Sequence, residues 1–92
     1  MPRFLIEVSH EGTRQACAQA IELFHRTGSH FLTHAAWGCN DGEHKAWITV
    51  EVESKDEARA ILPPPYRAEA KIVQLNAFTG QDLASMLREH GS

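Results

Sequence analysis

Hydrophobic and polar positions alternate from the start of the chain. In RFLIEVS, Phe4, Ile6 and Val8 fall on one side and Arg3, Leu5, Glu7 and Ser9 on the other, the period of two that marks a strand with one buried face. From Gly12 to Thr27 the period lengthens. Cys17, Ala20, Ile21 and Phe24 recur at helical spacing, and Gly28 follows where a helix needs a left-handed residue to stop. Two alternating runs then flank Asn40, Asp41 and Gly42, and Asp-Gly suits the two-residue type I′ turn of a β-hairpin. With Asp41 and Gly42 as the loop, Cys39 pairs with His44, and Trp37, Ala35, Thr33 and Phe31 oppose Ala46, Ile48, Val50 and Val52 on an apolar face. The other face pairs Ala36 with Trp47, His34 with Thr49, Leu32 with Glu51 and His30 with Glu53. A slip of one residue would scramble both faces.

ESKDEARAILPPP opens with Ser54 as N-cap and Glu57 three residues on, a capping box, and closes at prolines that cannot continue a helix. The prolines read as a stiff connector to a strand in AEAKIVQLNAF. Thr79 then caps a C-terminal helix whose Leu83, Met86 and Leu87 share one side. The expected organisation is a single domain over 1–92, with a core at 3–78 and the last helix at 79–90.

An order of β-α-β-β-α-β plus a helix is the split βαβ of ferredoxin-like α+β folds, with a four-stranded antiparallel sheet in the order 4-1-3-2 and two helices on one face. The helices are expected to cover Phe4, Ile6, Val8, Phe31, Ala35, Trp37, Ile48, Val50 and Val52. The opposite face carries Leu5, Leu32 and Trp47 among charged residues, too apolar to stay bare. In element order, length and open-face polarity, residues 3–78 resemble the dimeric α+β barrel superfamily, which includes muconolactone isomerase, antibiotic-biosynthesis monooxygenases and small nickel-binding proteins. That resemblance implies two sheets stacked face to face in a homodimer. Burial supplied by a second copy also suits a chain of only 92 residues.

Composition narrows the function classes. A net charge of -3, with nine scattered Lys and Arg, offers no basic stripe, and neither an aromatic RNA-binding pattern nor a glycine-rich phosphate loop occurs, so nucleic acid is not an expected partner. MPRFLIEVSH reaches an acidic residue after a short apolar run, unlike a signal peptide, and no stretch approaches membrane-spanning length. A cytoplasmic protein without a membrane partner is expected, with Cys17 and Cys39 as thiols. Cys17, on the helical stripe, reads as an inert core thiol.

Two groups of residues carry candidate chemistry. Cys39 and His44 face each other at the hairpin end, and a β1–β3 alignment brings His10 beside His44. One thiolate and two imidazoles suit Zn, Cu or Ni, with water or Asp41 completing the shell. Without metal, Cys39 is either an oxidisable or nucleophilic thiol or a small residue filling a strand end. His30 and His34, four residues apart on a strand, would lie about 13 Å from each other, too far to share an ion. On the open face His34 would stand with Glu7, Thr49 and Trp47, a grouping suited to general acid or base work.

Three functions follow as expectations. The first is a dimeric binding protein holding a small ligand or a transition metal through Cys39, His44 and His10. The second is a cofactor-independent enzyme, isomerase or monooxygenase in type, with His34 as base and Glu7 or Thr49 as helper. The third is a structural or regulatory dimer. Trp37 is expected to anchor the core, Trp47 to pack at the open face, and Arg3 to form a cross-strand ion pair with Glu51.

Overall fold

The computed structural model describes residues 1–27 and 30–91. Strand β1 (Arg3–Ser9) is central, because its alternation lets Phe4, Ile6 and Val8 point together into one core. It pairs antiparallel with β3 (Lys45–Glu51) on one side and β4 (Lys71–Leu75) on the other, and the short β2 (Ala36–Trp37) pairs with the outer edge of β3. The order along the sheet is therefore β2-β3-β1-β4, an adjacency that reads 4-1-3-2 from the β4 edge. Three helices complete the α+β chain: α1 (Arg14–Arg26), α2 (Lys55–Ile61) and α3 (Gly80–Gly91).

Each helix begins where a side chain satisfies an orphan backbone donor. The Thr13 hydroxyl accepts from Ala16 N–H at 3.0 Å at the start of α1. At α2 the Ser54 hydroxyl accepts from Glu57 N–H at 3.1 Å, while the Glu57 carboxylate accepts from Glu53 N–H at 2.9 Å. At α3 the Thr79 hydroxyl accepts from Asp82 N–H at 3.0 Å and Asp82 accepts from Thr79 N–H at 2.9 Å. The far end of α2 is held by Arg67, which donates to the carbonyls of Ala60 and Leu62, and a tight turn at Pro64–Tyr66 leads on to β4. The stop of α1 expected at Gly28 lies outside the described residues.

The core gathers Phe24 from α1 and Ala58 from α2 onto the Phe4–Ile6–Val8 face, with Ala46, Ile48 and Val50 from β3 and Ile72 from β4. Trp37 is half-buried and packs its ring 5.0 Å from that of Phe24, with Tyr66 edge-on to Phe24 at 5.7 Å. Arg3 and Glu51 sit opposite each other across the ladder with an exposed ion pair at 3.9 Å. No described helix is long and apolar enough to cross a membrane.

The hairpin departs from its expected form at both ends. Ala36 opposite Trp47 and Trp37 opposite Ala46 keep the expected register, but the strand extends no further back. Leu32–His34 instead form a 3₁₀ turn, closed by His34 N–H to the Phe31 carbonyl, Ala35 N–H to the Leu32 carbonyl, and the Thr33 hydroxyl to the His30 carbonyl at 2.8 Å. The pairings His34–Thr49, Leu32–Glu51 and His30–Glu53 therefore do not form. Curling the chain drives Leu32 into the core at 1% exposure and leaves Phe31 38% exposed, the reverse of their expected sides. One large side chain fully buried, together with local backbone bonds, takes the place of a longer edge ladder.

The turn itself is wider than two residues. A type I′ turn needs positive φ at both central positions, and among the described residues only Gly42 has it, at 81°. Cys39–Asp41 form a second 3₁₀ turn, and the Gly38 carbonyl accepts from both Asp41 N–H and Glu43 N–H at 3.0 Å. Gly38 makes this possible. A Cβ there would stand 2.8 Å from the Glu43 carbonyl oxygen and 2.9 Å from the Trp47 ring.

Candidate metal centre

Residues at the hairpin end converge by a route other than a Cys39–His44 ladder pair. The β1–β3 register ends with Ser9 opposite Lys45, and the next step carries His10 opposite His44, where His10 N–H donates to the His44 carbonyl at 3.1 Å. Their rings approach edge-on at 5.7 Å. The wide turn then folds Cys39 back over this pair, so that its Sγ lies 3.3 Å from His10 Nε2. One ligand atom from each of His10, Cys39 and His44 falls within 4.8 Å of the others, and all three residues are half-buried.

The state of each group can be read from its partners. His10 Nδ1 is 2.9 Å from the Glu11 carbonyl, which can only accept, so Nδ1 carries the proton. In the neutral ring the Nε2 lone pair is then directed at the Cys39 sulfur. An imidazole anchored through a carbonyl at one nitrogen and open at the other is the arrangement that orients metal-ligating histidines. His44 is packed against Gly12, where a Cβ would meet its Cδ2 at 3.4 Å, and its Nδ1 is buried with no hydrogen-bond partner. A buried nitrogen left unpaired costs about 1–3 kcal/mol, a cost that a metal cation bound there removes.

Cys17 and Cys39 form a disulfide that ties α1 to the turn, with their Cα atoms 6.8 Å apart. The expectation of two thiols, and of an inert Cys17, is corrected by this bond. Cys17 does lie on the buried stripe of α1, but that stripe ends beside the turn, so the residue that fills the core edge also reaches Cys39. An open cavity of about 420 Å³, lined by Arg14, Ala18, Ile21, Asn40 and His44, also has Cys17 and Cys39 in its wall.

The second expected grouping is brought together only in part: His34 and Thr49 line one cavity, which Glu7 does not. Glu7 accepts from the Trp47 indole N–H at 3.1 Å and lies 3.7 Å from the Lys45 ammonium, so its carboxylate is already engaged. His34 sits instead on the 3₁₀ turn, its ring 4.8 Å from that of His30, and shares a shallow cavity with Thr49, Phe31 and Glu51. The strand-based distance between His30 and His34 is thereby also corrected, since the turn brings their rings into contact. The short i, i+4 spacing of the two histidines was the available signal, and it was outweighed by the alternation of the flanking residues. No family model, curated protein or solved structure matches this chain.

Proposed function

We propose that the protein is a small metal-binding protein which, in its thiol form, holds a transition-metal ion through His10 Nε2, Cys39 Sγ and a ring nitrogen of His44. The observation that carries this reading is the convergence of three ligand atoms within 4.8 Å, one of them on a ring already oriented by the Glu11 carbonyl. A soft thiolate with two imidazoles favours Zn, Cu or Ni over the hard cations. Cys39 must first be released from its disulfide, because the thiolate is the metal ligand.

The same reading includes a ferredoxin-like arrangement and a homodimer of the α+β barrel kind. It is supported by Leu5 and Val73, which are paired on the face opposite the core, and by the exposed Phe78, Leu83, Met86 and Leu87 at and before α3. Apolar groups gathered on a small chain favour burial against a second copy.

Titration of the reduced, metal-stripped protein with Co²⁺ or Zn²⁺ tests the metal reading. One equivalent per chain should bind, with a sulfur-to-cobalt charge-transfer band that Cys39→Ser weakens. Absence of any binding that depends on Cys39 sinks it.

A further inference from the structure

We infer that Cys17 is the fourth ligand of this centre, and that the Cys17–Cys39 disulfide is its oxidised, metal-releasing state. The inference deepens the proposed metal reading and rests on it. Its geometric basis is direct. Cys17 Sγ is bonded to Cys39 Sγ, the atom that stands 3.3 Å from His10 Nε2, so opening that bond leaves a second thiolate directly beside the His10–Cys39–His44 cluster. Opening the bond supplies two thiolates beside two imidazoles, the Cys₂His₂ set that zinc takes in closed tetrahedral sites. Sulfurs on one tetrahedral zinc stand about 3.8 Å apart, given zinc–sulfur bonds of ~2.3 Å. A Cα separation of 6.8 Å lies at the wide end of what disulfides use, so side-chain rotation can part the sulfurs without moving α1.

His44 supplies an independent observation. Its Nδ1 is buried and unpartnered, and His44 lines, with Arg14, the cavity whose wall includes Cys17 and Cys39. That cavity gives a small thiol or disulfide a path to the bond. Cys39 is the accessible partner and Cys17, 8% exposed, the sheltered one.

The exchange balances with a low-molecular-weight disulfide, RSSR, as oxidant. The Cys39 thiolate attacks one sulfur of RSSR, its S–S bond breaks, and RS⁻ departs. The Cys17 thiolate then attacks Cys39 in the mixed disulfide, forming the protein bond and expelling a second RS⁻. Both RS⁻ take protons from water, and the divalent ion, having lost two ligands, leaves. Two thiolates with their bound divalent cation, one RSSR and two protons thus give one protein disulfide, two RSH and one free cation. Reduction by two RSH runs the same steps in reverse.

Co²⁺ titration of the reduced protein, with and without Cys17→Ser, separates the possibilities, and circular dichroism checks that the variant is folded. Reduced wild type should give a tetrahedral spectrum with two thiolates. Cys17→Ser should bind more than tenfold more weakly, with about half the charge-transfer intensity. Oxidation of the zinc-loaded wild type by a small disulfide should release one zinc, read with a chromogenic chelator, for each two thiols lost. This release assay needs no variant. Equal binding by wild type and Cys17→Ser with a single-thiolate spectrum, or zinc retained after both thiols are oxidised, overturns the fourth-ligand inference while leaving the three-ligand site standing. No Cys39-dependent binding at all overturns both.

Discussion

Cys17 and Cys39, separated by 22 positions, join the first turn of α1 to the hairpin end of the sheet. The bond closes a loop containing most of α1 and the whole of the first 3₁₀ turn, and its main effect in a chain-entropy view is to restrict the unfolded ensemble.

Reduction should therefore lower stability by about 3 kcal/mol, the value for a closed loop of this size. Urea unfolding of the oxidised and reduced protein in the presence of a chelator measures the difference. Zinc added to the reduced protein should recover part of it, since a ligand bound only by the folded state shifts the equilibrium toward that state.

His10→Ala should lower zinc affinity of the reduced protein by more than about tenfold. Isothermal titration reads the loss. Glu11 offers only its backbone carbonyl to the His10 ring, so Glu11→Gln should leave the affinity within a factor of about two.

Gly38→Ala and Gly42→Ala should separate two costs. At Gly38 a methyl group would collide with the Glu43 backbone and the Trp47 ring, a clash that should cost about 1–3 kcal/mol. At Gly42 the new Cβ meets open space, and only the left-handed backbone opposes it, at about 1–2 kcal/mol. Thermal melts compare them, and Gly38→Ala should also alter Trp47 fluorescence.

Asp82 sets an acid limit on α3. The Thr79 backbone N–H, and then its hydroxyl, stabilise the charged carboxylate and hold its pKa below the ordinary aspartate value. Because the folded value is the lower one, this support is complete above the unfolded value of about 3.9 and is lost as pH falls from there through the folded value. Helical ellipticity followed from pH 6 to pH 2 should show α3 fraying in that window, and Asp82→Asn should flatten the change.

Val73→Glu tests the proposed dimer. Val73 lies opposite Leu5 on the face away from the core, so a carboxylate there should convert a dimer to monomers in sedimentation without changing the circular dichroism.

Much of the fold was legible because its signals are local. The alternation of Phe4, Ile6 and Val8, the stripe of Cys17, Ala20 and Phe24, and the caps at Ser54 and Thr79 each specify an element within a few residues. The segment from His30 to Ala35 was not legible, since its polar and apolar order satisfies a strand as well as a turn. What decides between them is the space beneath the sheet that Leu32 fills, a tertiary quantity. At the site, the closeness of His10 and His44 followed from strand register. The disulfide did not, because neither the direction of α1 nor the fold of the wide turn over β3 is encoded near Cys17 or Cys39. The turn erred for one reason: Asp-Gly permits positive φ at both positions, and the chain uses it only at Gly42.

The brevity of β2 has a further effect. Beyond Trp47, the outer margin of β3 has no strand neighbour among the described residues, whereas β4 flanks β1 from Arg3 to Glu7. Peptide groups on that bare margin face solvent or the loop at His30–His34, so their deuterium uptake should outpace that of β1. An extended segment from another molecule would find a row of donors and acceptors already laid out there. The polar Thr49 and the charged Glu51 at that margin discourage the hydrophobic adhesion that would otherwise accompany such docking.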